Sequence, residues 1–487
     1  MTPTWIGLVL LLVGSMLIVR GSILTMLGFT LACTLLGGSS AINLPALSGA
    51  AIQPAYLALG FLILRILLAD GPQRTLFGPA LSANSALLVF CLYGAVGAIL
   101  LPRMFQGMID VTPMKPTEAF DLFGTDPLKP TSQNITSGVY LLGTAMAAMT
   151  GWIASKGHNA AHRIAGFIGW ITLANVAMGL IALALISAGR LDVVTIIRNG
   201  NYGALDQNYR GIVRMAGFFP EASAYAAYSI PLMVATAEMW LRNIRPRLTG
   251  PAALSMLTIL FISTSATAYV GVFAYAAILL VRFLLFPSAI TPKKIFFIIT
   301  LALVACTLSL AAMLVLPELA RTFSDMFTQM TVGKGQTSSG IQRQFWAQQG
   351  IDAFKVSYGI GIGAGSFRSS SLGTAIAGSM GVIGLIAFAV FVWNVIKPLR
   401  ASTYMGQGCS QSQSVGAALG WASIGLLAPA MVSAPSPDPG LVFSLLGGLA
   451  LGLRSSSLLR PAASPPVQEQ SSMREDYVPQ QTSERTV

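Results

Sequence analysis

Charge is what this sequence has least of. Only 9% of its 487 residues are Asp, Glu, Lys or Arg, against about a quarter in soluble domains. Together with 54% hydrophobic residues, that shortage excludes a water-soluble fold. Histidine occurs only at His158 and His162, and cysteine four times. Cys33, Cys91 and Cys306 sit in apolar runs and Cys409 in a loop. Their spacing is not that of metal ligands, so they read as ordinary buried thiols and no metal site is expected.

What the chain has instead is long apolar runs. A helix crossing a bilayer needs about 20 mostly apolar residues. Such runs fall at 4–19, 22–36, 51–68, 85–101, 138–153, 164–186, 222–241, 252–265, 267–286, 295–316, 375–396, 415–432 and 440–453. The expected fold is therefore an all-α polytopic membrane bundle of about 12 to 14 transmembrane helices. It forms one membrane domain over 1–460. The stretch 461–487, rich in Pro, Ser, Gln and Glu, has no apolar periodicity and reads as a disordered cytoplasmic tail.

Lys and Arg collect in cytoplasmic loops of membrane proteins. Here one alternating set of loops holds Arg20, Arg74, Lys156, Arg163, Arg242, Arg245, Arg247, Lys293, Lys294, Lys397 and Arg400, with little acid beyond Asp70. That side, taken as cytoplasmic, carries nearly all of the net charge of +12. Topology alone accounts for the charge, so a nucleic-acid partner is not expected. No basic residue precedes the first helix and Arg20 follows it, which predicts an outward N-terminus and an uncleaved helix. Trp152 and Trp240 border basic loops and read as headgroup anchors.

Three outward loops are long: 102–137, 188–221 and 317–374. Charges inside helices are scarce, which argues against an ion-coupled path. Arg65 and Glu238 lie near cytoplasmic helix ends, where long side chains snorkel. In the second long loop Arg210 and Arg214 are spaced i, i+4, so a helical turn would present two guanidinium forks to a pyrophosphate. Pro220 and Glu221 fit the first turn of the next helix. In the third loop, 338–354 shows a helical pattern that lays Ile341, Phe345 and Trp346 on the bilayer and sends Arg343 elsewhere. The glycines of 358–365 permit close backbone approach. A Ser-rich turn bearing Arg368 follows them, so they do not make a dinucleotide fingerprint.

In order, these segments resemble the superfamily of O-antigen polymerases, O-antigen ligases and exopolysaccharide polymerases (Wzy/WaaL). The family's Arg-x-x-Gly-x-Phe stretch before a Pro-containing helix start is matched by Arg214, Gly217, Phe219 and Pro220, with Glu221 next. Its Ser-Thr-Ser helix end is matched by Ser263, Thr264 and Ser265. A large loop with an arginine, an aromatic and a glycine run follows two helices later. The match covers about 210–385. Two departures stand: Ala266 occupies a place where many members carry Arg or Lys, and the histidine that ligases have beyond the glycines is replaced by Arg368 and Ser369. Both histidines lie in a cytoplasmic loop, which favours an exopolysaccharide polymerase over a ligase.

The resemblance implies a GT-C-like fold and a multi-pass protein of the bacterial inner membrane with its active site facing the periplasm. It implies metal-independent, inverting glycosyl transfer from undecaprenyl-pyrophosphate-linked repeat units, with membrane lipid, a chain-length regulator and export proteins as further partners and no cofactor. A pyrophosphate leaving group needs its developing charge stabilised. No outward Asp-x-Asp is present, so Arg214 and Arg343, with Arg210 and Arg368 binding substrate beside Ser369, are the expected cations. Glu221 is the expected group for the acceptor hydroxyl, with Asp352 as substitute. Other readings stay open: an O-antigen ligase-type transferase; a lipid-linked oligosaccharide flippase or exporter, which should show charges along a central path; a GT-C transferase using a lipid-phosphate monosaccharide, whose acidic first outward loop is not matched by the uncharged 37–49; and a membrane scaffold.

Overall fold

The computed structural model describes residues 2–45, 50–69, 75–114, 123–200, 208–209, 212–285, 291–315, 338–397 and 410–455. Arg210, Asp70, Arg74, Arg400, Cys409, the 316–337 part of the third long loop and the tail 461–487 lie outside the described residues.

The apolar runs fold as helices in chain order: α1 (Trp5–Arg20), α2 (Ile23–Cys33), α3 (Pro54–Leu67), α4 (Phe77–Ala83), α5 (Ser85–Met104), α6 (Ser132–Ala154), α7 (Ala160–Ser187), α8 (Leu191–Ile197), α9 (Ala222–Leu241), α10 (Pro246–Ile262), α11 (Ala266–Leu285), α12 (Pro292–Val315), α13 (Ser338–Val356), α14 (Leu372–Ile396), α15 (Gln411–Gly425), α16 (Leu427–Ser433) and α17 (Gly440–Ser455). Small residues set several packing distances. A Cβ on Gly151 of α6 would lie 2.8 Å from the Leu445 carbonyl oxygen of α17, and these two helices run in close contact. Strands are confined to short antiparallel pairings. β1 (Thr2–Pro3), β2 (Ile42–Leu44) and β3 (Ala50–Ile52) form one sheet, β4 (Asp110–Val111) pairs with β5 (Asp126–Pro127), and β6 (Asn208–Tyr209) with β7 (Ile212–Val213).

Among the described residues six helical segments are long and apolar enough to cross a membrane: α5, α6, α7, α11, α14 and the continuous 411–433. Five apolar helices, α1, α2, α3, α10 and α17, are shorter, at 10–17 residues. Large apolar side chains face outward along the bundle, among them Leu12, Val19, Trp170 and Leu284, each more than 60% exposed. Water tolerates no such surface, whereas lipid favours it. The chain is a multi-pass, all-α membrane protein.

α9 is not among those six although it has 20 residues. It carries Tyr225, Tyr228, Ser229, Pro231 and Glu238, and almost all of it is buried against α7, α10, α11 and α15. A helix wrapped by protein needs no uniform apolar face, which is how it tolerates those residues. Glu238 corrects the snorkelling expectation. Its side chain is fully buried, ion-paired with Arg242 and with Arg282 of α11, and accepts the Tyr275 hydroxyl at 2.9 Å. Arg282 also stacks on Trp421, 4.5 Å from the ring centroid. Trp152, expected at the headgroups, is only 2% exposed and lies under Lys156.

The basic residues gather at one end of the bundle and cap its helices. Arg65 Nε donates to the Gly21 carbonyl at 2.9 Å, Lys294 Nζ to Trp240 O at 2.6 Å, and Arg454 to Val395 O at 2.7 Å. Cations at helix C-termini meet the negative end of the dipole and the orphan carbonyls. The long loops meet at the opposite end, where Gly38 N–H donates to Phe218 O and Gly200 N–H to Gly38 O.

α14 is broken at Gly381, whose φ of 59° and ψ of −152° lie outside any helix. The glycine run threads beside this break. Ile362 N–H donates to Gly378 O, Gly363 N–H to Ser379 O, and Val382 N–H to Gly359 O. Irregular backbone survives inside a membrane bundle only when protein satisfies its polar groups, and here each strand of irregular chain satisfies the other. Gly359, Gly361, Gly363 and Gly365 all have positive φ. A Cβ on Gly361 would lie 2.5 Å from the Ser379 backbone, and one on Gly365 2.5 Å from Gln133 O. The run is packing machinery, with its backbone against α5, α6 and α14.

Candidate functional site

The Arg-x-x-Gly-x-Phe-Pro stretch is a turn that aims two charged side chains. Gly217 takes a left-handed φ of 52°, and a Cβ there would press on the Tyr225 ring at 2.8 Å. Buried Arg198 holds the turn by donating from Nε to Gly217 O at 3.0 Å. Phe219 packs on Tyr228 with centroids 4.8 Å apart. Arg214 then emerges before the turn and Glu221 after it. Glu221 caps α9 with extended backbone, and its carbonyl accepts the Tyr225 N–H at 3.0 Å. Helix thus starts at Ala222, so Pro220 and Glu221 precede the first turn instead of forming it. The Glu221 carboxylate makes no cap hydrogen bond to the backbone. It is exposed and accepts the Ser223 hydroxyl.

Arg214 reaches the Ser-Thr-Ser junction between α10 and α11, its Nη2 donating to Thr264 O at 3.3 Å. Thr264 sits at a φ of 49°, a strained value for a β-branched residue. Arg214 Nε, Thr264 Oγ1 and Ser265 Oγ are buried with no hydrogen-bond partner among the described residues. Unsatisfied buried groups each cost on the order of 1–3 kcal/mol, so three at one junction mark a place prepared for a polar guest.

α13 supplies the opposite wall. Arg343 Nη1 donates to Val432 O at 3.3 Å, and its carbonyl accepts the Ser370 hydroxyl. Trp346, three residues on and so on the same face, lies under the Arg368 guanidinium at 4.5 Å. This replaces the expectation that Trp346 lies on the bilayer. Arg368 is anchored through its backbone N–H to Thr112 O at 2.9 Å, while its Nε and Trp346 Nε1 have no hydrogen-bond partner among the described residues. Gln349, on the next turn, exchanges two 3.1 Å hydrogen bonds with Thr112.

Arg214, Arg343, Arg368 and Glu221 form one electrostatic group. Burial pulls the Arg214 and Arg368 guanidiniums below the ordinary arginine value; Glu221 opposes this and Arg343 adds to it. Both remain charged at neutral pH. Three cations against one carboxylate, drawn from segments far apart in sequence, make a site with an excess of positive charge and spare N–H donors. Its chemistry matches a multiply charged phosphate.

Two expected residues do not join it. Ser369 is 2% exposed, with its N–H on Pro435 O at 3.0 Å and its Oγ 3.0 Å from Thr374 Oγ1. It ties the turn to α14 and faces no opening. Asp352 is nine residues after Arg343, about half a turn out of phase at 3.6 residues per turn. It lies exposed on the other face, accepting from Gln348 at 3.0 Å and 3.9 Å from Lys355 Nζ.

Asp438, in the Pro-flanked turn before α17, was not singled out in the sequence. Its Oδ1 accepts the Thr144 hydroxyl at 2.7 Å and the Gly440 N–H at 3.0 Å. Burial pushes its carboxyl above the usual range, and those hydrogen bonds offset part of the push. A raised folded-state pKa means stability that is full below the unfolded value and lost as pH rises through the folded one. Asp438→Asn keeps an acceptor and loses the charge, so its Tm should gain on that of the parent chain as pH rises above the ordinary aspartate value of about 4. A Tm difference that stays flat above that value would mean Asp438 ionises normally.

Among the described residues no three His, Cys, Asp or Glu side chains gather as metal ligands. No protein-family model matches the chain, and no curated protein matches it in sequence.

Proposed function

We propose that the chain is a membrane glycosyltransferase of the polysaccharide-polymerase type, joining undecaprenyl-pyrophosphate-linked repeat units at the periplasmic face of a bacterial inner membrane, within a GT-C-like fold. One observation carries the reading: among the described residues Arg214, Arg343 and Arg368, two of them with Nε donors that have no partner there, converge beside a single exposed carboxylate.

In that reaction an acceptor sugar hydroxyl attacks the anomeric carbon of the donor, and the bond from that carbon to the pyrophosphate oxygen breaks with inversion. The leaving oxygen takes the electron pair, and its charge grows where the guanidiniums already stand. Fixed cations stabilise such charge without reorganising. The hydroxyl proton passes to Glu221, whose carboxylate projects from the α9 cap. Membrane lipid holds the polyprenyl tail, and a chain-length regulator and export proteins are the partners such a product requires.

The purified chain in lipid nanodiscs, given a lipid-pyrophosphate-linked repeat unit, should release undecaprenyl pyrophosphate and build lipid-linked dimers and longer chains. The yield should be unchanged by EDTA. Loss of product with EDTA would remove the arginines from their assigned role. Translocation of the lipid without any new glycosidic bond would replace the enzyme with a transporter.

A further inference from the structure

Both histidines of the chain lie far from the arginine cluster, at the opposite end of the bundle. There a cleft of about 610 Å³ opens between the start of α2, the end of α3, the end of α6 and the start of α7. Arg65, Lys156, His158, Asn159, His162 and Arg163 line it, and none of the described lining residues is acidic. Ile23, Leu24, Leu76 and Ile153 supply apolar wall.

Two of the cations are held with donors to spare. Arg65 spends its Nε on Gly21 O. Arg163 touches Thr25 Oγ1 at 3.1 Å and Ser22 Oγ at 3.5 Å, both neutral. A guanidinium has five N–H donors, so neither is used up, and no ion pair to either is found among the described residues. Lys156 reaches Gly452 O at 2.6 Å and Ser455 Oγ at 2.7 Å, again neutral acceptors. Its burial lowers the ammonium pKa to about 8. Arg245 donates to His162 Nε2, which leaves Nδ1 as that ring's N–H donor. The 28-residue α7 also begins here with no side chain capping its first N–H groups, adding positive potential to the same space.

We infer that this cleft is a binding site for a phosphate group, cradled by Arg65, Lys156 and Arg163. The bearer is an anionic phospholipid headgroup or a soluble phosphate. The apolar wall below the cations suits acyl carbons, and basic pockets between membrane helices recognise headgroups in this way. The site owes nothing to the glycosyl-transfer chemistry and holds whatever the outer arginines do.

The test uses the full chain purified in a neutral detergent and stripped of lipid. Phosphatidylglycerol should raise its Tm and phosphatidylcholine should not. The double substitution Arg65→Gln, Arg163→Gln should weaken the apparent affinity for phosphatidylglycerol at least about tenfold, as expected when two charge-assisted hydrogen bonds are lost. Inorganic phosphate giving the same substitution-sensitive shift where phosphatidylglycerol gives none would assign the site to a soluble phosphate. Equal shifts from phosphatidylcholine, or an unchanged shift in the double variant, overturn the proposal. Native mass spectrometry of the unsubstituted chain covers the case in which the double variant does not fold: a retained anionic phospholipid, displaced by phosphatidylglycerol and not by phosphatidylcholine, supports the site, and indifference between the two overturns it.

Discussion

Polymer output should fall by about 100- to 1000-fold when Arg214 or Arg343 is replaced by alanine, the usual loss when one preorganised donor to a developing oxyanion is removed. Arg214 stands where three buried polar atoms lack partners, and Arg343 is coupled to both other arginines. Neither makes an ion pair among the described residues, so alanine leaves no orphaned carboxylate and the fold should persist. The measurement is polymer and lipid-linked repeat unit, quantified together in a deletion background at matched membrane levels. Arg247→Ala, exposed at the far end of the bundle, is the control. Polymer lost with single repeats accumulating outside is the expected result. Normal polymer, or repeats trapped inside, would sink the site or the function.

Gly381→Ala should lose the folded protein altogether. Its Cβ would fall on the Gly359 carbonyl oxygen and within 2.5 Å of the Ile360 carbonyl carbon. Its φ of 59° with ψ of −152° is a region that side-chain-bearing residues essentially never adopt. A steric clash with backbone and a forbidden dihedral pair at one position exceed the roughly 4–5 kcal/mol that marks an exceptional substitution. Gly60→Ala, where the added methyl meets nothing within 4 Å, should express normally. A single sharp gel-filtration peak for Gly381→Ala at parental yield would contradict the threaded arrangement.

The helices were legible because an apolar run of bilayer length has few other uses, and the basic end was legible because lysines and arginines avoid crossing. Helix length was less legible, since some apolar runs fold as short helices, that of α2 stopping at 11 residues. The arginine cluster was legible in part. Order along the chain suggested that Arg214, Glu221, Arg343 and Arg368 belong together, but not that Trp346 would support Arg368. Helical phase alone argues against Asp352, because nine residues from Arg343 point the other way. Ser369 was expected to bind substrate because it stands, with Arg368, where ligases carry a histidine beyond the glycines; its neighbours Thr374 and Pro435 consume it. Glu238 was misread because its second partner, Arg282, lies on another helix. Asp438 was hidden by the prolines around it, which made it look like an ordinary turn residue.

The crossing of the glycine run with the break in α14 settles which wall of the arginine site can act as a door. Arg343 and Arg368 sit on either side of a segment sewn into the bundle by the hydrogen bonds of Ile362, Gly363 and Val382. To swing outward, that wall would have to unpick its seam inside the lipid, where no water waits to replace a lost partner. It is the doorpost. Arg214 and Glu221 hang from a turn pinned by Arg198 and two aromatic rings. Side-chain contacts part more readily than that backbone seam, so under the proposed function the lipid-borne glycan is admitted from their side, and amides at Ile362 and Val382 should be among the last in the protein to exchange with deuterium.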